Sequence, residues 1–370
     1  MSSAIGRIRI EGLTLKRIQS IVKHKKRSEY PLKVLVLGGT GNISRAIVAR
    51  LLDQSHEVSI FNRGSRKLNF SDDVRSIVGD KKDKERFEAQ MREESFDAVI
   101  DMISFNAEEA ESTVRAFGGR TGHIVMCSSS SVYNRPAQTL PIREDEEELF
   151  NDPGHPYAYH KADMERYLRG VYERDKLPVT IIRPSLTYGP GGYNIGVLRQ
   201  NMNIVERIRS GKPLVMFGDG TTPWSFTFAS DLAKGFVGVL GNPATFGEAY
   251  HVTSEEPHIW EDLYSTFGEV LGKEPHIVHI SSDLLMTAAP KLCSHLFYEK
   301  TYAGLYDNAK IKSVVPDYHS EVSLHAGIKM MIEWYEREGC LVDLEKDAFE
   351  DQLVQFHQSW SRQIANIYMK

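Results

Sequence analysis

Lys33 to Leu37 is a short aliphatic run that passes directly into Gly38, Gly39, Thr40 and Gly41, and from there into Asn42 to Asp53, whose apolar residues recur at helical spacing. No other feature constrains the chain as much as this strand, glycine turn and helix in immediate succession. Glycine permits the tight turn and lets backbone N–H groups approach a pyrophosphate, while the helix start adds positive partial charge toward the same place. Gly38, Thr40, Gly41, Asn42 and Ile43 are therefore expected to hold a dinucleotide. Ser44 stands where a third glycine is usual, and it is small enough to keep the close helix-to-strand contact.

The alternation continues along the chain. Val58 to Phe61, Arg75 to Val78, Ala98 to Ile103, His123 to Cys127 and Val179 to Ile182 read as strands, and Lys84 to Met91, Ala107 to Phe117 and Tyr157 to Glu173 as helices. This rhythm predicts a doubly wound parallel sheet, the α/β Rossmann fold. After about residue 185 the rhythm loosens into the texture of a smaller C-terminal α/β lobe. The expected units are a basic arm over 1–30, a dinucleotide-binding domain over 31–185 with some later returns to the sheet, a substrate lobe over 186–340 and a C-terminal helix over 341–370. In that last segment Leu353, Phe356, Trp360, Ile364 and Ile367 form an apolar stripe, expected to pack on the body or on a second subunit.

Charge and composition narrow the function class. With 45 Lys+Arg against 50 Asp+Glu the net charge of −5 excludes a general polyanion binder, and no apolar run approaches the length of a membrane span. A cytoplasmic protein acting on small molecules is expected. The basic character is confined to the arm, where Arg7, Arg9, Lys16, Arg17, Lys23, Lys25, Lys26 and Arg27 face only Glu11 and Glu29; it reads as a short amphipathic surface helix. Cys127, Cys293 and Cys340 show no paired spacing, so neither a disulfide framework nor a thiolate metal site is expected. His276 and His279, three apart in a strand, point to opposite faces and likewise give no metal site.

The end of the second strand bears on cofactor choice. It runs Phe61, Asn62, Arg63, Gly64, Ser65, Arg66, Lys67, with no carboxylate to repel a 2'-phosphate and three cations able to pair with one. NADP(H) is favoured and NAD(H) allowed, with Asn62 and Arg63 at the ribose. Asp80, after the third strand, is a candidate contact for the adenine amino group.

His123 to Cys127 runs into Ser128, Ser129, Ser130, Ser131, Val132 and Tyr133, which places hydroxyls at the carboxyl end of a parallel strand, the edge where such sheets bind ligands. Tyr157 and Lys161 follow on a helix at a spacing that sets them on one face. A free phenol titrates near 10, and a neighbouring ammonium together with a positive nicotinamide would favour its phenolate, making it a usable proton donor and acceptor. His155 and His160 flank this tyrosine and read as a turn residue and a helix-face residue.

With these motifs, and with Arg183-Pro184, Tyr188-Gly189-Pro190-Gly191 and Gly218-Asp219-Gly220 leading to Asp231-Leu232-Ala233, residues 33 to 340 resemble the extended short-chain dehydrogenase/reductases, the branch of sugar epimerases, dehydratases and reductases. The resemblance implies that Tyr157 is the general acid/base and that Lys161 orients the nicotinamide ribose. It also implies that Ser129 hydrogen-bonds the reacting oxygen, with Ser130 the runner-up, and that a homodimer pairs through helices Ala107 to Phe117 and Tyr157 to Glu173.

Departures from the branch pattern narrow the substrate. Members that eliminate water carry Asp-Glu where this chain has Ser130 and Ser131, which disfavours a 4,6-dehydratase. Nucleotide-sugar enzymes place Asn and Arg toward the substrate diphosphate where this chain has Leu186 and Trp224. Either Arg199 or Arg207 replaces them, or the substrate lacks a nucleotide, which we favour. Trp224 then either stacks on a sugar face or is a buried structural residue. The leading expectation is an NADPH-dependent reductase of a keto-sugar, amino sugars included. An epimerase with retained NAD is the alternative. Chloroplast stem-loop RNA-binding proteins, which resemble this chain in the glycine loop, supply a remote third, with only the arm in its favour. A cofactor sensor without catalysis is disfavoured by Tyr157 and Lys161.

Overall fold

The computed structural model describes residues 31–65, 70, 73–192 and 194–367; the arm over 1–30, Arg66 and Lys67 lie outside the described residues. Strands β1 (Lys33–Leu37), β2 (Glu57–Asn62), β3 (Val74–Val78), β4 (Ala98–Asp101), β5 (His123–Cys127) and β6 (Val179–Pro184) form one sheet, which Ala249–Val252 rejoins late in the chain. The spatial order is Ala249–Val252, β6, β5, β4, β1, β2, β3, and every neighbouring pair is parallel. Because β1 pairs with both β2 and β4, the order reverses beside it and opens a crevice at the carboxyl ends of the strands.

Alternation along β1 shows why both faces must be covered. Val34 and Val36 pack with Ile47, Val48 and Leu51 of helix α1 (Asn42–Asp53), whereas Leu35 and Leu37 pack with Phe87 and Met91 of α2 (Lys84–Arg92) and Phe117 of α3 (Ala107–Phe117). Helix α4 (Pro156–Asp175) lies beside α3, and Ala229–Gly238 lies beside α1. A separate core of Trp224, Phe226, Trp260, Phe267 and Trp334 organises the later chain around helices Met202–Ser210, Trp260–Leu271 and Leu324–Arg337.

One expectation changes. The strand expected to reach Ile103 stops at Asp101, because the Asp101 carboxylate accepts the backbone N–H groups of Ile103 (2.9 Å) and Ser104 (3.0 Å) and turns the chain. Its charge is balanced by the buried Lys81 ammonium at 3.0 Å. In helix Leu344–Ala365 Leu353 of the terminal stripe is partly buried against the later core, while Phe356 is 66% and Trp360 43% exposed on this chain. No helix among the described residues is long and apolar enough to cross a membrane.

Candidate active site

The glycine turn has backbone angles that other residues resist, with φ of +115° at Gly38 and +85° at Gly39. A Cβ at Gly39 would come within 2.6 Å of Ile60 Cγ2, so the turn is held flat against β2. Ser44 is buried and fits behind Gly38. Helix α3 is capped by the Asn106 side chain, which accepts the Glu109 N–H at 2.8 Å, but α1 begins at Gly41 with no side-chain cap and no acid in its first turn. Its leading N–H groups are thus available to an anion.

Two buried polar atoms beside this turn, Asn42 Oδ1 and Asn62 Nδ2, have no protein partner. Buried polar groups ordinarily have one, so an uncapped helix start, a glycine cradle and these two atoms suit a phosphate-bearing ligand with ribose hydroxyls. Thr40 and Ile43 lie partly exposed at the turn. Asn62 Oδ1 accepts the Gly64 N–H at 2.7 Å, Arg63 is exposed beside it, and Asp80 is exposed at the end of β3. These residues line one side of the crevice.

At the other side β5 ends in the serine run. The Ser129 hydroxyl caps a short turn over Ser130–Val132, accepting the Ser131 N–H at 3.1 Å and donating to Ser131 Oγ at 3.0 Å. Pro156 starts α4, which puts Tyr157 in its first turn and Lys161 one turn deeper. The buried Lys161 ammonium donates to the carbonyls of Ser104 (2.7 Å) and Cys127 (2.6 Å) and lies 4.8 Å from the Phe105 ring centre. Tyr157 is 44% exposed, with Ser129 beside its hydroxyl. In the protein alone partial burial pushes the phenol up to about 12, with Ser129 acting the other way, so it is protonated.

Ser130 is buried beside Tyr306. Trp224, offered as a sugar platform, is 0% exposed. The Lys300 ammonium stands 4.0 Å from its ring centre, Trp260 lies 5.7 Å away, and the backbone of Gly304 closes another side. It is a core residue. Arg207 is equally unavailable, bound to Pro213 O (2.7 Å), Asp347 (2.6 Å) and Asp351 (2.8 Å). Arg199, by contrast, is exposed in a left-handed backbone conformation, and its charge reaches Tyr157, His155 and His295.

Sequence reasoning missed Glu299 and Lys300. They lie in a single π-helical turn, Leu296–Lys300, and pair at 2.9 Å while both are buried. Ser131 lies beside the Glu299 carboxylate and helps hold its pKa low. No motif marks this dipeptide; only a structure shows that the later lobe returns to the serine run. Behind the serines, Ser128 donates to Glu165 at 2.5 Å, and Glu165 grips the fully buried Arg183 at 2.5 Å. His155 stacks on Tyr298 at 5.6 Å rather than sitting in an open turn, and its Nε2 has no partner.

The model of the NAD dependent epimerase/dehydratase family matches residues 34–253, and the chain belongs to that family. The 2'-dehydrokanamycin reductase of Streptomyces kanamyceticus is 26% identical over 325 residues, covering 87% of this chain and 90% of that protein. The chloroplast stem-loop binding protein of 41 kDa b of Arabidopsis thaliana is 27% identical over 261 residues, covering 67% of this chain and 65% of that protein. Among solved structures, the UDP-glucuronic acid 4-epimerase of Bacillus cereus, in complex with UDP-glucuronic acid and NAD, shares the fold at a TM-score of 0.66, with 19% identity over 83% of this chain and 99% of that one.

Proposed function

We propose that this member of the extended short-chain dehydrogenase/reductases is an NAD(P)-dependent oxidoreductase that reduces the ketone of a sugar-like substrate. The observation that carries the reading is the Lys161 ammonium bound to the Cys127 carbonyl at the carboxyl end of β5, with Ser129 just beyond that end and Tyr157 one turn before Lys161 on α4, across the crevice from an uncapped helix start. NAD(P)H bound along that crevice supplies the hydride. Tyr157 would supply the proton to the carbonyl oxygen, Ser129 would hydrogen-bond the same oxygen, and Lys161, fixed by two carbonyls, would keep an N–H for the nicotinamide ribose. Gly38, Thr40, Gly41, Asn42 and Ile43 would hold the pyrophosphate.

NADP(H) is favoured because Arg63 stands exposed beside Asn62 with no carboxylate near it in sequence. A substrate without a nucleotide agrees with the burial of Trp224 and the engagement of Arg207, and with the relative named for 2'-dehydrokanamycin. Pairing of subunits through α3 and α4 belongs to the same reading. An epimerase is the second reading, since the relatives include a UDP-glucuronate 4-epimerase and the same groups serve a hydride that returns to its carbon. The test mixes purified protein with NADPH or NADH and 2'-dehydrokanamycin as the probe ketone. Steady loss of reduced nicotinamide, falling at least about a hundredfold in Tyr157→Phe, supports the reductase. A stoichiometrically retained cofactor with no net turnover supports the epimerase.

A further inference from the structure

The Lys161 ammonium rests on the carbonyls of Ser104 and Cys127 and beside the ring of Phe105. The carbonyl of Ser104 and the ring of Phe105 belong to one turn, residues 103–105 between β4 and α3, so whatever fixes that turn fixes the lysine. The fastening is Asp101. One of its carboxylate oxygens accepts the N–H groups of Ile103 (2.9 Å) and Ser104 (3.0 Å). The other accepts from Ser104 Oγ (2.7 Å), Thr113 Oγ1 of α3 (2.6 Å) and Lys81 Nζ (3.0 Å). Lys81 also donates to Ser104 Oγ and to the Glu109 carbonyl at 2.9 Å, and Glu109 Oε2 accepts the Phe105 N–H at 2.7 Å. Asp101 is 0% and Lys81 6% exposed, so water does not compete for these bonds. Burial raises the pKa of Asp101, but the Lys81 charge and the hydrogen bonds from Thr113, Ser104 and Ile103 bring it below the ordinary carboxylate value, so it is ionised and only accepts.

We propose that Asp101 is a positioning residue which, through the main chain of residues 103–105, sets the place of the Lys161 ammonium. Its meaning for the cofactor rests on the reading of Lys161 given above. The argument turns on what surrounds the carboxylate: Ile103, Ser104, Thr113 and Lys81 all donate to it. An amide here has one accepting oxygen, and its NH2 must face either the Lys81 ammonium or the two backbone N–H groups. The ammonium repels it more strongly, so the oxygen turns to Lys81 and the NH2 meets the N–H groups of Ile103 and Ser104. The turn is driven off, and the Ser104 carbonyl moves with it. With Lys81 replaced as well, the oxygen can return to the backbone N–H groups while the NH2 donates to the hydroxyls of Ser104 and Thr113, which also accept.

The test reads the lysine itself, before any cofactor is added. Full-length protein is labelled with trace acetic anhydride, and acetylation of Lys161 and of Lys300, a buried lysine of the later lobe, is measured by peptide mass spectrometry. In Asp101→Asn the labelling of Lys161 is expected to rise at least about fivefold with Lys300 within about twofold of the parent. Asp101→Glu, which keeps the charge but pushes it one methylene into the turn, is expected to act in the same way, whereas Asp101→Asn/Lys81→Met returns Lys161 most of the way to the parent. A residue that merely supports the fold would loosen both lysines and would not be rescued by a second substitution. Lys161 labelling within about twofold of the parent in Asp101→Asn and Asp101→Glu, or Lys161 and Lys300 rising together, overturns the inference. Calorimetry separates it from the reading of the cofactor site. NADPH affinity should fall about tenfold in Asp101→Asn, while adenosine 2',5'-bisphosphate, which lacks the nicotinamide half, binds within about twofold of the parent. Exposure of Lys161 with NADPH affinity unchanged would uphold the positioning and overturn the assignment of Lys161 to the nicotinamide ribose, so the two readings fail separately.

Discussion

Glu165→Gln is expected to be among the most destabilising single substitutions of the sheet half. Glu165 sits one turn beyond Lys161 on α4, and both it and Arg183 of β6 have side chains fully removed from solvent. Arg183 reaches the carboxylate through Nε (3.0 and 3.1 Å) and Nη2 (2.5 Å), and spends Nη1 on Tyr133 OH (2.6 Å) and the Glu144 carbonyl (3.1 Å). An amide in place of the carboxylate keeps the shape but leaves a guanidinium without its counter-charge in a dry interior. Removing one partner of a buried pair costs about 3–5 kcal/mol. For a chain of this size that is a drop in melting temperature of about 4–6 °C. The assay is urea unfolding followed by circular dichroism, with the double variant Glu165→Leu/Arg183→Met beside it. Replacing both charges with apolar groups should recover more than half of the loss, because the penalty comes from the stranded charge and not from the missing attraction. A loss below about 1 kcal/mol in Glu165→Gln, or a double variant no better than the single one, would refute the reasoning.

Three further outcomes follow from particular contacts. Gly39→Ala meets both a left-handed φ of +85° and a 2.6 Å approach to Ile60, so it should cost about 1–3 kcal/mol and weaken NADPH binding at least tenfold by calorimetry; affinity within twofold of the parent would contradict the cradle. Trp224→Phe should lower stability by about 1–2 kcal/mol while leaving KM for the ketone within twofold; a large KM rise at unchanged melting temperature would restore the sugar platform. His123, fully buried, accepts the Gly241 N–H at Nδ1 (3.1 Å) and meets Thr180 Oγ1 at Nε2 (2.8 Å), an arrangement for the neutral ring, and burial pushes its pKa down to about 3. The unfolded ring takes up its proton below about 6.5, so this stabilisation is complete above that pH and declines by about 1.4 kcal/mol per unit as pH falls toward 3. Urea midpoints for His123→Gln between about pH 6 and 4 should show a slope shallower by that amount.

The sheet half of the molecule was readable because it obeys short-range rules. Lys33–Leu37, Asn42–Asp53, Ala107–Phe117 and His123–Cys127 were placed to the residue, since each is bounded by glycine, asparagine or serine that ends one backbone pattern and begins another. The glycine turn, the serine run and the Tyr-x-x-x-Lys pair were legible for the same reason. What escaped was long-range. Nothing near Glu299 in sequence tells that its carboxylate lies beside Ser131, some 170 positions earlier. Trp224 was ambiguous because an aromatic ring suits a binding floor and a core equally well until the Lys300 ammonium is seen lying on it.

The Lys161 ammonium is anchored by the peptide carbonyls of Ser104 and Cys127, not by their side chains. Every amino acid has that carbonyl, so positions 104 and 127 are free to drift over evolutionary time while the lysine keeps its place. Distant descendants of the same ancestor can therefore look unrelated at those two letters and still hold an identical cation in the same place. Surveys that infer importance from letter identity alone will pass over this pair of anchors.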